Sequence, residues 1–138
     1  MNVLAIISFV CCSAVLGHPY YRDLIPNGYG VPNPCDGGAT VWEAVGHYNP
    51  LHHTVDKNPF AQAFAAAGHV WTVALCQADS DGDGVTNGAE LGDPTCVWTA
   101  GGSPTGRATG HPGICNPVGS CPGQAFTCNC HGHNCVGK

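Results

Sequence analysis

The chain has 138 residues, a formal net charge of -5 and only 9% charged side chains. Its length favours a single domain. The 4 Lys and Arg residues are too few for the basic surface that binds nucleic acid, so we exclude that class of protein. The sequence also contains 20 glycines, 11 prolines and 10 cysteines, a composition typical of a small, loop-rich fold held by disulfides.

The first 17 residues carry no charged side chain, and the run from Val3 to Leu16 is almost wholly apolar or small. Such a run is too short to span a membrane and is typical of the apolar part of a signal peptide. We therefore expect a signal peptide at residues 1–17. Cleavage after Gly17 would leave a secreted product that begins at His18 and has no membrane span. In an oxidising compartment, disulfides are the default expectation for its cysteines.

One clear helix is predicted in the middle of the chain. Asn58 is a good N-cap, and Pro59 suits the first turn of a helix. Phe60, Phe64 and Ala67 follow at the spacing of one helical face. The pattern therefore predicts a helix that begins near Asn58 and ends near Ala67.

Three shorter elements have weaker signals. Residues 41–45 fit a short strand or a short helix equally well, residues 70–78 fit a helix, and residues 95–98 fit a short strand. We expect a small disulfide-rich α+β fold, largely irregular, with one calcium loop of the EF-hand kind. The predicted apolar core contains Phe60, Phe64, Trp71, Leu75 and Trp98.

An acidic stretch from residue 79 to residue 90 has the spacing of an EF-hand calcium loop. Gly84 stands where such a loop must turn sharply, and clustered carboxylates would repel one another without a cation between them. Because Pro94 cuts the exit helix short and no second loop accompanies this one, we predict a structural site and not a sensor. The predicted calcium ligands are the side chains of Asp79, Asp81, Asp83, Asn87 and Glu90 and the carbonyl of Val85.

Short motifs in a fixed order along the chain carry a family resemblance. They are Ile25-Pro26-Asn27-Gly28, Val31-Pro32-Asn33-Pro34-Cys35, Val45-Gly46-His47, Asn58-Pro59-Phe60, Trp71-Thr72, Leu75-Cys76, the acidic stretch through Pro94 with Cys96 and Trp98, and His111-Pro112-Gly113. With these motifs the chain resembles the temptin family, secreted water-borne pheromone proteins of marine molluscs. The resemblance implies a temptin-like domain at residues 18–117, followed by a cysteine-rich tail at residues 118–138. Residues 51–56 and the tail depart from the family pattern.

The resemblance also implies two disulfides, Cys35–Cys115 and Cys76–Cys96. The second is supported by position, because Cys76 and Cys96 flank the acidic loop and a bridge would tie its two ends together. The tail cysteines then pair among themselves in an order that the sequence leaves open, or bind zinc together with His131 and His133. These tail cysteines are Cys121, Cys128, Cys130 and Cys135.

The sequence contains no recognisable set of nucleophile and base, so we expect a protein without catalytic activity. The resemblance implies a signal of the pheromone or attractant type that acts through secreted proteins or a cell-surface receptor. Four aromatic side chains are candidates for an exposed contact surface, with burial in the core as the alternative. They are Trp42, Tyr48, Phe60 and Trp98.

Two other functions stay open. An N-terminal His18 offers an amine and an imidazole, and a second imidazole from His47 or His111 would complete a copper-binding histidine brace like that of copper monooxygenases. The chain would then be an oxidase, whereas in the alternative His18 is a frayed terminus and His47 and His111 bond backbone groups in turns. The remaining alternative is an extracellular matrix protein that holds calcium, which the low charge of the chain disfavours.

Overall fold

The computed structural model describes residues 18–51 and 56–128. The predicted signal peptide, the side chain of His18, and the tail residues Cys130, His131, His133 and Cys135 lie outside the described residues. The described chain forms a 3₁₀ helix at His18–Leu24 and three α-helices: α1 at Pro59–Ala66, α2 at Val73–Gln77 and α3 at Asn87–Leu91. None of these helices has the length and apolar character needed to cross a membrane.

The β part of the predicted α+β fold is wrong. Across residues 18–51 and 56–128 no strand forms, and the backbone pairs in two isolated antiparallel bridges, Pro32 with Val41 and His47 with Lys57. Frequent proline and glycine interrupt longer pairing, because proline has no N–H to donate and glycine favours turns. Turns and side-chain hydrogen bonds hold the backbone between the helices, so the fold is largely irregular, as expected.

The stretch at residues 95–98, predicted as a strand, wraps around a buried carboxylate instead. Asp93 Oδ1 accepts hydrogen bonds from the N–H groups of Val97 at 2.9 Å and Trp98 at 3.2 Å. Asp93 Oδ2 accepts from the indole N–H of Trp71 at 2.9 Å. These donors satisfy a side chain that is fully buried, and they fold the segment into a tight loop.

Helix α1 forms where the sequence predicts it. Asn58 Oδ1 accepts a hydrogen bond from the Ala61 N–H at 3.0 Å and caps the helix, and a proline occupies its first turn. The Nδ2 group of Asn58 donates to the Val45 carbonyl at 2.7 Å, so the cap also ties α1 to the preceding segment. Phe60 and Phe64 are buried on the inner face of the helix.

Helices α2 and α3 stand at the two ends of the acidic loop and pack against each other. The side chain of Thr72 caps α2, which makes it shorter than the helix predicted at residues 70–78. Helix α3 ends at Leu91 and is capped by Gly92, whose φ of 81° few other residues adopt. The predicted Cys76–Cys96 bridge is present and fastens α2 to the chain beyond α3.

The predicted apolar core is largely confirmed. Trp71 is only partly buried and packs at the edge of the core, whereas the other four predicted side chains are buried. Leu91 of α3 also belongs to this core. Loops before and after the helices complete it with Ile25, Val31, Trp42, Val45, Tyr48, Ile114 and Phe126.

The proposal of an exposed aromatic contact surface is wrong. All four of its residues are buried, and the most exposed of them, Trp98, is 9% exposed. Large aromatic side chains carry the apolar area that a small domain most needs to remove from water, so burial prevails over exposure. These residues are Trp42, Tyr48, Phe60 and Trp98.

The predicted Cys35–Cys115 bridge is also wrong. Cys35 pairs with Cys128, and Cys115 pairs with Cys121. The Oε1 atom of Gln124 accepts a hydrogen bond from the Cys115 N–H at 2.9 Å, which folds the chain back after Cys115. That reversal brings Cys121 beside Cys115 and leaves Cys35 to pair with Cys128.

The first part of the predicted tail packs on the same core as the rest of the chain. Phe126 is buried, and its ring meets that of Trp42 edge-on at 6.0 Å. Val118 is partly buried against the core. Residues 118–128 are therefore structurally continuous with the domain that precedes them.

Candidate metal centre

The loop between α2 and α3 is held in shape by its own carboxylates. Asp79 accepts hydrogen bonds from the N–H groups of Gly82 at 2.9 Å and Gly84 at 2.8 Å. Gly84 has a φ of 90°, a conformation that side chains rarely adopt, so this turn requires glycine. Asp81 and Asp83 each accept a hydrogen bond from the N–H two residues further along.

Three aspartates of the loop bring their carboxylates together. One oxygen from each of Asp79, Asp81 and Asp83 lies within 4.8 Å of the other two. Two oxygens that bind one calcium ion at about 2.4 Å lie at most about twice that distance apart. The spacing of the three carboxylates therefore fits a shared calcium ion.

Glu90 adds a buried carboxylate from the first turn of α3. Its side chain is 2% exposed, and its Oε2 atom has no hydrogen-bond partner. Asp81 is also buried, and its Oδ2 atom likewise has no partner. Burial, followed by the charges of neighbouring aspartates, raises the pKa of Glu90 to about 10 and that of Asp81 to about 8. At neutral pH this cluster of carboxylates needs either bound protons or a bound cation to offset its charge. All of its donor atoms are oxygens, which suits calcium.

The predicted ligand Asn87 also holds the loop in shape through its side chain. Asn87 Nδ2 donates to the Leu75 carbonyl and to Ser80 Oγ, both at 2.8 Å, and Asn87 Oδ1 accepts from the Ser80 N–H at 3.3 Å. The buried Asn87 side chain thus positions the loop, and in EF-hands the residue at this position often reaches calcium through water. Val85, expected to bind through its carbonyl, has an exposed side chain.

The chain after His111 covers one side of the acidic loop. The N–H of Asn116 donates to Asp83 Oδ2 at 3.2 Å. The sulfur of Cys115 lies 3.0 Å from the carbonyl oxygen of Asp81. Sequence reasoning missed both contacts, because residues more than 30 positions apart meet here and no motif marks them.

The histidines considered as copper ligands are used partly in other contacts. His111 Nδ1 accepts a hydrogen bond from the Gly113 N–H at 3.0 Å, which places the proton of the neutral ring on Nε2. Burial lowers the pKa of His111 to about 3, so the ring is neutral, and its Nε2 atom is buried without a hydrogen-bond partner. His47 is buried beside Trp42, whose indole N–H donates to the His47 carbonyl at 3.1 Å.

Comparison with known proteins gives two matches that agree with each other. The family model described as Temptin C-terminal matches residues 15–114. The chain is also 46% identical over 123 residues to Temptin of Aplysia californica, an alignment that covers 88% of this chain and 95% of that protein. No solved structure matches the chain. The two sequence matches show that the chain belongs to the temptin family.

Proposed function

We propose that the chain is a secreted, calcium-binding signal of the pheromone or attractant type, which acts through protein partners and has no catalytic activity. The observation that carries this proposal is the 46% identity to Temptin over 88% of the chain. The matched residues 15–114 include all three α-helices and the acidic loop. Disulfides at three places in the described chain support secretion, since such bridges persist in oxidising compartments.

We infer that the partner is a secreted protein or a cell-surface receptor. The four aromatic residues considered for a contact surface are buried, so the large apolar side chains available for contact are other ones. Exposed apolar residues include Tyr29, Leu51, Val70, Val73 and Val97. These residues come from separate segments of the chain, so a contact that uses several of them depends on the folded surface and not on one linear peptide.

The signalling role is tested with the folded protein itself. Purified disulfide-bonded protein is released into flowing water, and attraction of conspecific animals is compared with that to the same protein after reduction and alkylation. We expect attraction to the native protein alone, because the bridges hold the surface in shape. Equal responses to both samples, or no response to the native protein, would contradict the proposal. Photo-crosslinking of the native protein to sensory tissue then identifies the partner.

Calcium binding rests on the buried, unpartnered oxygens of Asp81 and Glu90. Isothermal titration calorimetry of metal-free protein is expected to give one calcium ion per chain, with a dissociation constant on the order of 10⁻⁴ M. Glu90→Gln keeps the shape of the side chain but removes a charge, so affinity falls at least about tenfold. Glu43→Gln is the matched control, because Glu43 is exposed and outside the loop. Equal affinities of Glu90→Gln and the wild type would exclude this site.

A further inference from the structure

A cavity of about 210 Å³ lies between α1, the segment that precedes it and the N-terminal 3₁₀ helix. Buried Val45, Phe60 and Phe64 line its apolar side. In proteins, a dry cavity of about 150 Å³ is large enough to hold benzene. The cavity therefore has room for one aromatic ring and a short substituent.

The walls of this cavity are fixed by close backbone contacts. The N–H of Asn58 donates to the Gly46 carbonyl at 2.9 Å, and its side chain donates to the Val45 carbonyl at 2.7 Å. A Cβ added at Gly46 would lie 2.8 Å from Cβ of Ala61, so α1 approaches this segment as closely as glycine permits. A preformed cavity of this kind binds a ligand without first paying for reorganisation.

The lining of the cavity includes two cationic residues, in a chain that has few of them. Arg22 and Lys57 both line it, although the whole sequence holds only 4 Lys and Arg residues against 9 Asp and Glu. Glu43 is the acidic residue among the lining residues, which leaves the lining with a net positive charge. The Nε atom of Arg22 is buried and has no hydrogen-bond partner, while its guanidinium carbon lies 4.3 Å from the centroid of the Tyr29 ring.

We propose that this cavity binds a small aromatic carboxylic acid. The ring packs against Phe60 and Phe64, and the carboxylate accepts hydrogen bonds from Arg22 and Lys57. Arg22 suits this role because its fork of donors matches a carboxylate and its buried Nε atom has no hydrogen-bond partner. A ligand of roughly ten non-hydrogen atoms fits the volume, with a dissociation constant on the order of 10⁻⁴ M. The chain would then carry a small molecule as well as act as a signal.

The test uses the full disulfide-bonded chain and three soluble probes. Phenylacetate supplies ring and charge, phenylacetamide has the ring without the charge, and acetate has the charge without the ring. By calorimetry, phenylacetate is expected to bind at least about tenfold more tightly than either of the others, since a charge-assisted hydrogen bond has about this effect. Equal binding of phenylacetate and phenylacetamide, or of phenylacetate and acetate, would overturn the proposal, as would no binding of phenylacetate.

Two pairs of variants locate the binding. Ala65→Leu narrows the cavity and should abolish phenylacetate binding, whereas Ala66→Leu, equally exposed on α1 but outside the lining, should not. Lys57→Gln should weaken binding severalfold, and Arg107→Gln removes the same charge from a site outside the cavity and should have no effect. If the two variants of either pair have equal effects on phenylacetate binding, the assignment to this cavity is refuted.

The cavity shares no lining residue with the acidic loop. Phenylacetate binding is therefore expected to be the same with calcium and with chelator, and the two proposed sites can be tested separately.

Discussion

The ring of Phe126 stacks on the ring of Tyr48, with centroids 5.5 Å apart and planes inclined by 21°. Phe126 belongs to the C-terminal segment, whereas Tyr48 lies in the loop before α1. The amide of Gln124 lies 3.5 Å from the hydroxyl of the same tyrosine. The C-terminal segment thus closes one side of the core, and removing its aromatic anchor should be costly.

Phe126→Ala is expected to lower the free energy of unfolding by about 3–5 kcal/mol, because it leaves a cavity in the core. Thr127→Ala changes the adjacent exposed residue and should shift stability by less than about 0.5 kcal/mol. Urea unfolding followed by fluorescence measures both values. If the two variants are equally stable, the C-terminal segment is not part of the core.

Asp81→Asn should be more stable than the wild type without calcium and less stable than the wild type with calcium. Without calcium the variant is expected to melt higher than the wild type, because the buried Asp81 carboxyl must take up a proton on folding at neutral pH and an amide need not. At about tenfold excess over the dissociation constant, calcium adds about 1.4 kcal/mol to the wild type and less to the variant.

Thermal melts with calcium and with chelator measure this difference. Asp23→Asn, which alters an exposed carboxylate outside the loop, should leave the gain from calcium unchanged. The Cys76–Cys96 bridge ties the loop ends together, so both proteins should stay folded in chelator. A wild type whose melting temperature ignores chelator would rule out the metal site.

The metal-free protein should lose stability as pH rises from 7 to 9. Burial and neighbouring aspartates raise the pKa of Glu90 to about 10 and that of Asp81 to about 8. In this range the folded chain holds protons that the unfolded chain has already released, so the free energy of unfolding falls with pH. Urea unfolding in calcium-free buffer measures the slope. Saturating calcium, or the double change Asp81→Asn with Glu90→Gln, should flatten it, and a slope that survives both would contradict these pKa shifts.

His111 should give the opposite slope in acid. Burial lowers its pKa to about 3, so below about pH 6.5 the unfolded chain binds a proton that the folded chain does not, and stability falls as pH falls. His111→Asn keeps an acceptor for the Gly113 N–H but has no charge to gain. From pH 6 to pH 4, the free energy of unfolding of the wild type should therefore fall more steeply than that of His111→Asn, by about 1.4 kcal/mol per pH unit. Parallel slopes would show that His111 is accessible to protons in the folded protein.

Local signals in the sequence predicted the local structure well. Asn58 followed by proline marks the start of α1 because capping depends on neighbours in the chain. The spacing of Asp79, Asp81 and Asp83 placed their carboxylates together for the same reason. The ends of the helices were predicted less accurately. The Thr72 cap starts α2 at Val73, later than the pattern of the preceding residues predicted.

Contacts between distant residues could not be predicted in this way. The partner of Cys35 depends on the turn that Gln124 imposes after Cys115, and no periodicity of the sequence reports that turn. Asn87 has the oxygen that a ligand needs, yet its place is decided by a carbonyl of α2 and by Ser80. Only the folded structure shows which hydrogen bonds the Asn87 side chain makes.

The Cys35–Cys128 bridge joins residues 93 positions apart and makes one covalent ring of most of the folded chain. In the proposed extracellular setting, peptidases attack exposed loops first, and residues 99–107 form such a loop inside the ring. A single cut there opens the ring without releasing a fragment, because both new ends stay tethered through the bridge. The lifetime of the intact surface in open water then depends on a second cut, not on the first.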